Sequence, residues 1–186
     1  LGTQRMQTFE SVSLFREKKG RPLVIADPYA GVGPSMALLY TEADIVSKAY
    51  VNDMNPEATL LLKANMEQFH AKRKSDGMHI IDCKDARKLV EENPEMIGCA
   101  DVLLVNLPHD GISHLPDLVA ILADEMTLVC GWSIQDRNAD ILKQLQTSLM
   151  QSSRAILENQ IEEIKGFSTT KAMFRYELLL SKKNKR

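Results

Sequence analysis

From Pro22 onward the chain alternates short apolar runs with longer stretches whose apolar residues recur every three or four positions. Pro22-Leu-Val-Ile-Ala26 ends at Asp27 and is long enough for a buried strand, too short for a free-standing helix. Residues 28 to 33 contain Gly31 and Gly33 and read as a turn, with Pro34 suited to the first position of a following helix. Lys48 to Asn52 predicts a second strand, ending at Asp53. Asn55-Pro56-Glu57 is a helix start: Asn as cap, Pro at the first helical position, an acid in the first turn. Leu62, Met66 and Phe69 then share one face, and Lys72 to Gly77 breaks the pattern.

Met78 to Ile81 predicts a third strand, followed by Asp82-Cys-Lys-Asp85 and a helix containing Leu89 and Val90. Ala100 to Val105 predicts a fourth, ending at Asn106-Leu107-Pro108, with a helix across Leu115, Val119 and Leu122 after it. Thr127 to Cys130 is the fifth, and Asp136 is the expected cap of a helix presenting Ile141, Leu145 and Leu149. Two extended candidates follow, Ala155 to Ile164 and Ala172 to Leu180, which read as an antiparallel pair at a sheet edge. Continued helix is the alternative for the first, because Leu157, Ile161 and Ile164 also fit a helical repeat. Strand–helix alternation with short links predicts an α/β fold: a mostly parallel seven-stranded sheet, covered on both faces, with a C-terminal antiparallel hairpin. Residues 1–21 form a leading segment and 22–186 the domain.

Composition narrows the function. At 186 residues, 44% hydrophobic and 26% charged, the chain has the size and makeup of one globular domain. Cys83, Cys99 and Cys130 are odd in number and widely spaced, unlike a disulfide framework or a zinc site. No apolar run approaches a membrane span, and no signal-peptide pattern opens the chain, so the reducing cytoplasm is the expected compartment. The start at Leu1 fits a fragment or an engineered start. Net charge is −2, which gives no global pull toward nucleic acid. Basic residues do cluster at Arg16 to Arg21, Lys72 to Lys74 and Lys182 to Arg186, as a local phosphate-binding face or as solvated charge runs.

In an open parallel sheet, ligands bind outside the carboxyl ends of the strands. Gly31 and Gly33 remove side chains that would block a ligand from the backbone. Neither the third glycine of a dinucleotide fingerprint nor the Gly-Lys-Ser/Thr of a phosphate loop is present, which argues against NAD and ATP. Asp53, about 20 residues beyond the turn, is placed to accept the hydroxyls of an adenosine ribose; a helix-start acid is the plainer reading. Asp85 is a candidate acceptor at an adenine edge, or the cap of a helix beginning at Ala86. Asn106 has an amide that both donates and accepts, suited to gripping a planar base, or it makes a structural turn. His109 is a candidate general base or a surface residue.

Taken together, these segments resemble a family. Asp27-Pro-Tyr-Ala-Gly-Val-Gly-Pro34 resembles the cofactor turn of tRNA guanine-N1 methyltransferases, which act 3′ to the anticodon, and of their relatives in wybutosine synthesis. Tyr50-Val-Asn-Asp53-Met-Asn-Pro-Glu-Ala58 with Asn65, then Asp85-Ala-Arg87, then Asn106-Leu-Pro-His109, are similar to the next three motifs. The resemblance spans roughly residues 20 to 130 and implies a Rossmann-like class I methyltransferase using S-adenosylmethionine, without a metal, on tRNA.

Carried over residue by residue, it implies that the backbone from Tyr29 through Ala30 and Gly31 to Gly33 holds the amino-acid end of the cofactor. Asp53 would bind its ribose and Asp85 its adenine, with Asp27, Met54, Ala86 and Asn106 completing the cofactor set. Asn106 and Pro108 would border the target base. Arg5-Met-Gln-Thr8-Phe-Glu10 looks like a degraded form of the stretch that carries the family's general base, which makes Glu10 the candidate base. Ser35 departs from the aromatic common in the family, and the upstream region that supplies an arginine and much of the tRNA contact has no counterpart here. Arg5 or Arg16 would have to substitute for that arginine; otherwise the chain alone is expected to bind cofactor and methylate tRNA poorly. The alternatives are a methyltransferase for another RNA, a protein or a small molecule, and a non-catalytic subunit that binds an active partner.

Overall fold

The computed structural model describes residues 2–42, 44–73 and 76–183. Its strands are ordered β3-β2-β1-β4-β5-β7-β6 in one mostly parallel seven-stranded sheet, with β7 antiparallel to both β5 and β6. The chain divides into two compact units, Leu1–Lys88 and Leu89–Arg186.

The first unit contains α1 (Gly2–Lys19), β1 (Leu23–Asp27), α2 (Met36–Leu39), β2 (Val46–Asn52), α3 (Pro56–Lys72) and β3 (Met78–Asp82). β2 lies between β1 and β3, parallel to both, with Tyr50 beside Ala26 and Ile80. α3 starts where the sequence places it: Asn55 Oδ1 accepts from Glu57 N at 3.0 Å, and Pro56 opens the helix. Leu62 and Met66 are fully buried. α2 begins later than Pro34 suggests. Ala37 N reaches Gly33 O (3.1 Å), but Leu38 N turns to Ser35 O (3.3 Å), a tighter turn that delays regular helix to Met36.

The second unit contains α4 (Leu89–Glu92), β4 (Val102–Val105), α5 (Gly111–Leu118), β5 (Thr127–Asp136), α6 (Ile141–Leu149), β6 (Arg154–Gly166) and β7 (Lys171–Lys182). The helix expected to contain Leu89 and Val90 is α4, a single short turn entered from a 3₁₀ turn, Ala86–Lys88. Ala100 lies outside β4 and bridges Leu122. Leu122 is therefore extended rather than helical, and Ala123 N donates to Ala100 O at 2.8 Å. The expected helix across Leu115, Val119 and Leu122 stops at Leu118 and tightens into a 3₁₀ turn, Val119–Ile121.

Pro116 sits inside α5 and offers no N–H to the carbonyl four residues back, Ile112 O. Ser148 Oγ, from α6, donates to that carbonyl at 2.6 Å. An acceptor freed by proline is thus satisfied from a neighbouring helix.

β5 runs well beyond Cys130, because β7 pairs with it from Thr127 to Asp136. Asp136 ends a strand and caps no helix. The cap of α6 is Asp140, whose Oδ1 accepts from Lys143 N at 2.9 Å. The 154–166 segment is strand, not continued helix, and pairs with β7 through two bulges. Gly131 faces Tyr176 across the β5–β7 pair, and any side chain at 131 would collide with that ring.

Below α3, the Tyr40 hydroxyl lies 3.0 Å from His70 Nδ1 and 3.1 Å from His79 Nδ1. One phenol proton serves one ring nitrogen, so the other imidazole must donate its own N–H. Burial, then the neighbouring His70, lowers the His79 pKa below 6.5, while Glu67 partly opposes this. A histidine whose folded pKa is depressed leaves the unfolded chain binding more protons below about pH 6.5. Stability is therefore expected to be flat above that pH and to fall as the pH drops from about 6.5 toward the folded value. Urea midpoints measured at several pH values check this, and His79→Gln is expected to flatten the profile.

Candidate functional site

The carboxyl ends of β1, β2 and β3 converge on one buried amide. Asn52, 3% exposed, donates from Nδ2 to Pro28 O and to Lys84 O, each at 3.0 Å, and its Oδ1 accepts from Lys84 N at 3.0 Å. The loops after β1 and β3 are both tied to the end of β2. Ala30 N adds a bond to Asn52 O at 2.9 Å. Asn52 was not singled out by sequence; its presence beside Asp53 in the second motif was the available signal.

Asp53 extends the same framework. Its Oδ2 accepts from Gly31 N and its Oδ1 from Asn55 N, both at 2.9 Å. The carboxylate thus pins the glycine turn to the start of α3. A carboxylate has about four lone-pair sites, so acceptor capacity remains for a ligand. Thr59 Oγ1 fixes the backbone beneath by donating to Asp53 O at 2.9 Å. Asn65 Nδ2, from α3, donates to Val32 O at 2.8 Å.

The two glycines differ in role. Gly31 has φ +57°, and a Cβ there would meet nothing within 4 Å, so the turn opens onto free space. Gly33 has φ +85°, and a Cβ would lie 2.8 Å from Leu62 Cδ1, so α3 packs directly against it. Around this turn Asp27 and Ala30 are buried and Tyr29 is half-buried. Met54, next to Asp53, is 70% exposed, and the exposed Cys83 contacts its carbonyl (Sγ to O, 3.9 Å).

Asp85 is engaged locally. Its Oδ1 accepts from Arg87 N (3.0 Å) and Nε (3.1 Å), and its Oδ2 from Arg87 Nη2 (2.7 Å). These bonds cap the 3₁₀ turn that begins at the buried Ala86, and they hold the Asp85 carboxyl at a pKa of about 2. Its capping role is therefore present. A ligand amine would have to share the carboxylate with Arg87.

The first unit thus gathers Asp27, Tyr29, Ala30, Gly31, Gly33, Asp53, Met54, Asp85 and Ala86 at its strand ends and the loops after them. Glu10 lies on the exposed side of α1, with Thr8, Val12 and Phe15 buried. Asn106 and Pro108 belong to the second unit, in the turn after β4, both half-buried. Pro108 O accepts from Ile134 N at 2.7 Å and Leu107 O from Gly111 N at 2.8 Å. His109 is exposed.

The basic runs are less available than their sequence suggests. Arg73 is 8% exposed; its Nη1 donates to Tyr40 O (2.6 Å) and its Nη2 to Val46 O (2.8 Å). Arg16 Nε donates to Asp44 O at 2.7 Å. Lys182 pairs with Asp124 at 2.5 Å, and Lys183 Nζ reaches Met150 O and Ser152 O. Lys74 and residues 184–186 lie outside the described residues. Among the described residues no helix is long and apolar enough to cross a membrane, and no group of three His, Cys, Asp or Glu is placed to hold a metal.

No family model matches the chain, and no curated protein matches it in sequence. Solved structures do match in fold. M. jannaschii TYW2 in complex with AdoMet aligns at TM-score 0.73 and 14% identity, over 87% of this chain and 70% of that one. Trm5b from Pyrococcus abyssi aligns at TM-score 0.70 and 20% identity, over 97% of this chain and 49% of that one. Trm1 from Pyrococcus horikoshii with S-adenosyl-L-methionine aligns at TM-score 0.68 and 10% identity, over 98% of this chain and 56% of that one. The chain therefore has the Rossmann-like class I methyltransferase fold, and it spans about half to seven-tenths of the length of these proteins.

Two expected outcomes follow from this geometry. Gly33→Ala forces a contact against Leu62 as well as a strained φ, and should cost roughly 1–3 kcal/mol in urea unfolding, more than Gly31→Ala. Arg87→Ala should return the Asp85 carboxyl from about 2 toward its ordinary 3.8, as read by carboxyl-carbon NMR titration.

Proposed function

We propose that this chain is a methyltransferase domain that takes S-adenosylmethionine as cofactor and a base of tRNA as substrate, N1 of a guanine next to the anticodon. The observation that carries the reading is the Asp53 carboxylate, fixed by Gly31 N and Asn55 N beside a glycine turn that opens onto free space. The residues fit the cofactor's chemistry. The turn from Tyr29 to Gly33 leaves room for an amino-acid moiety, and Asp53 keeps lone pairs for a ribose diol. The exposed Met54 offers apolar surface for an adenine face. Asp85 and Ala86 would border the adenine edge, and the buried Asp27 ends β1 just before the turn.

When bound, S-adenosylmethionine supplies an already activated methyl group, so the chain's own residues have to position a nucleophilic nitrogen and remove a proton. Asn106 and Pro108 would border the base, the amide gripping its edge. Glu10 would take the N1 proton. The likeness to TYW2, Trm5b and Trm1 supports an RNA substrate, and the partial coverage supports a role for further protein in holding it. A non-catalytic subunit is the second reading, favoured by the Arg87 pairing of Asp85 and by Glu10's exposure.

The test begins with calorimetric titration of S-adenosylmethionine. Binding in the micromolar range is expected, and its absence from a folded sample overturns the proposal. Asp53→Ala should weaken binding by about 1.5–3 kcal/mol, the range for charged hydrogen bonds, and should lower the melting temperature because two backbone N–H groups lose their acceptor. Radiolabelled cofactor with tRNA transcripts carrying guanine or adenine 3′ to the anticodon then reads the substrate: transfer should depend on guanine.

A further inference from the structure

The second unit carries a groove of about 640 Å³ between α5 and α6, opening next to the turn after β4. Ile112 and Pro116 form apolar lining, and His109, Gln135, Lys143 and Gln144 border it. The groove reaches the carboxyl end of β5 through Gln135, the side of a parallel sheet where ligands bind. Its polar groups fall into two sets. Asp140 caps α6, and Ser148 and Gln135 make internal bonds, to Ile112 O and to Ser133 Oγ at 2.7 Å. The His109 ring, the Lys143 ammonium and the Gln144 amide carry no hydrogen bond or ion pair of their own to any described residue. An apolar lining bordered by an amide and a cation from α6 and an imidazole from the turn after β4 matches a planar heterocycle that carries a phosphate. The amide can donate and accept at a base edge, the apolar lining takes its face, and the lysine takes the phosphate.

We propose that this groove holds a nucleotide of the RNA substrate other than the one that receives the methyl group, with Lys143 on its phosphate and Gln144 on its base edge. The inference rests on the RNA reading above but adds a second contact, independent of the cofactor site. It gives the domain grip on RNA through side chains of α6, whereas Arg16, Arg73 and Lys183 of the basic runs hold the chain's own backbone carbonyls.

The experiment uses the whole chain saturated with S-adenosylmethionine and a fluorescein-labelled single-stranded RNA containing the anticodon-loop target, at fixed moderate salt. Lys143→Glu and Gln144→Ala alter half-buried or exposed side chains on a capped helix, so melting temperatures should stay near wild type. Lys143→Glu should weaken RNA binding roughly tenfold and Gln144→Ala several-fold, with cofactor affinity unchanged and Lys143→Arg close to wild type. In a parallel series of salt concentrations, Lys143→Glu should also flatten the salt dependence by about one phosphate contact. RNA binding unchanged by both Lys143→Glu and Gln144→Ala, or no RNA binding by a chain that binds cofactor, overturns the groove assignment. RNA binding that shows the expected variant effects in a chain without cofactor affinity supports the groove while defeating the methyltransferase reading, so the two fail separately.

Discussion

The candidate site depends on one buried amide. Asn52 has two donor hydrogens and a carbonyl oxygen, and it spends them on Pro28 O, Lys84 O and Lys84 N. The loops after three parallel strands carry backbone groups that no strand partner can satisfy at that level, and leaving one buried and unpaired costs about 1–3 kcal/mol. Asn52 resolves three of them from the end of the middle strand. Asp53 can then reach Gly31 N and Asn55 N at once, because the two loops it bridges are already held at fixed heights. Replacing Asn52 with Asp would remove the two donated bonds and bury a charge; replacing it with Leu would strand all three backbone groups.

Much of the architecture was legible because apolar periodicity is a local signal. The strands ending at Asp27, Asn52 and Val105 alternate with polar turns, and the Asn55-Pro56 start of α3 announces itself within three residues. Misreadings fell where a distant partner decides the outcome. β5 outran its apolar stretch because β7 supplies bonds as far as Asp136. Asp136 and Asp140 are equally good caps in one dimension, and only that strand pairing removes the first. Leu122 fits a helical repeat, but Ala100 draws it into a bridge.

Site residues divide the same way. Gly31 and Asp53 stand out by spacing, and the structure joins them by one hydrogen bond across 22 residues of chain. Asn52 escaped notice because its partners lie in two other loops, and the demand of Arg87 on Asp85 depends on a side-chain conformation no pattern encodes. The basic clusters left their direction open for a related reason. A run such as Lys72-Arg73 states charge but not direction, and Arg73 turns inward, its guanidinium 4.5 Å over the Tyr40 ring. Charge that caps carbonyls is no longer offered to phosphate.

Ser148 donating to Ile112 O makes α6 a splint for a helix that its own proline has weakened. A splint ties the fluctuations of the two parts it joins. When α6 lifts, α5 is left with a buried carbonyl and no partner, so the cheapest local opening of this region releases both helices together. Amide protons in α5 and α6 would then exchange on one shared clock, although the helices are separate in sequence and β5 runs between them.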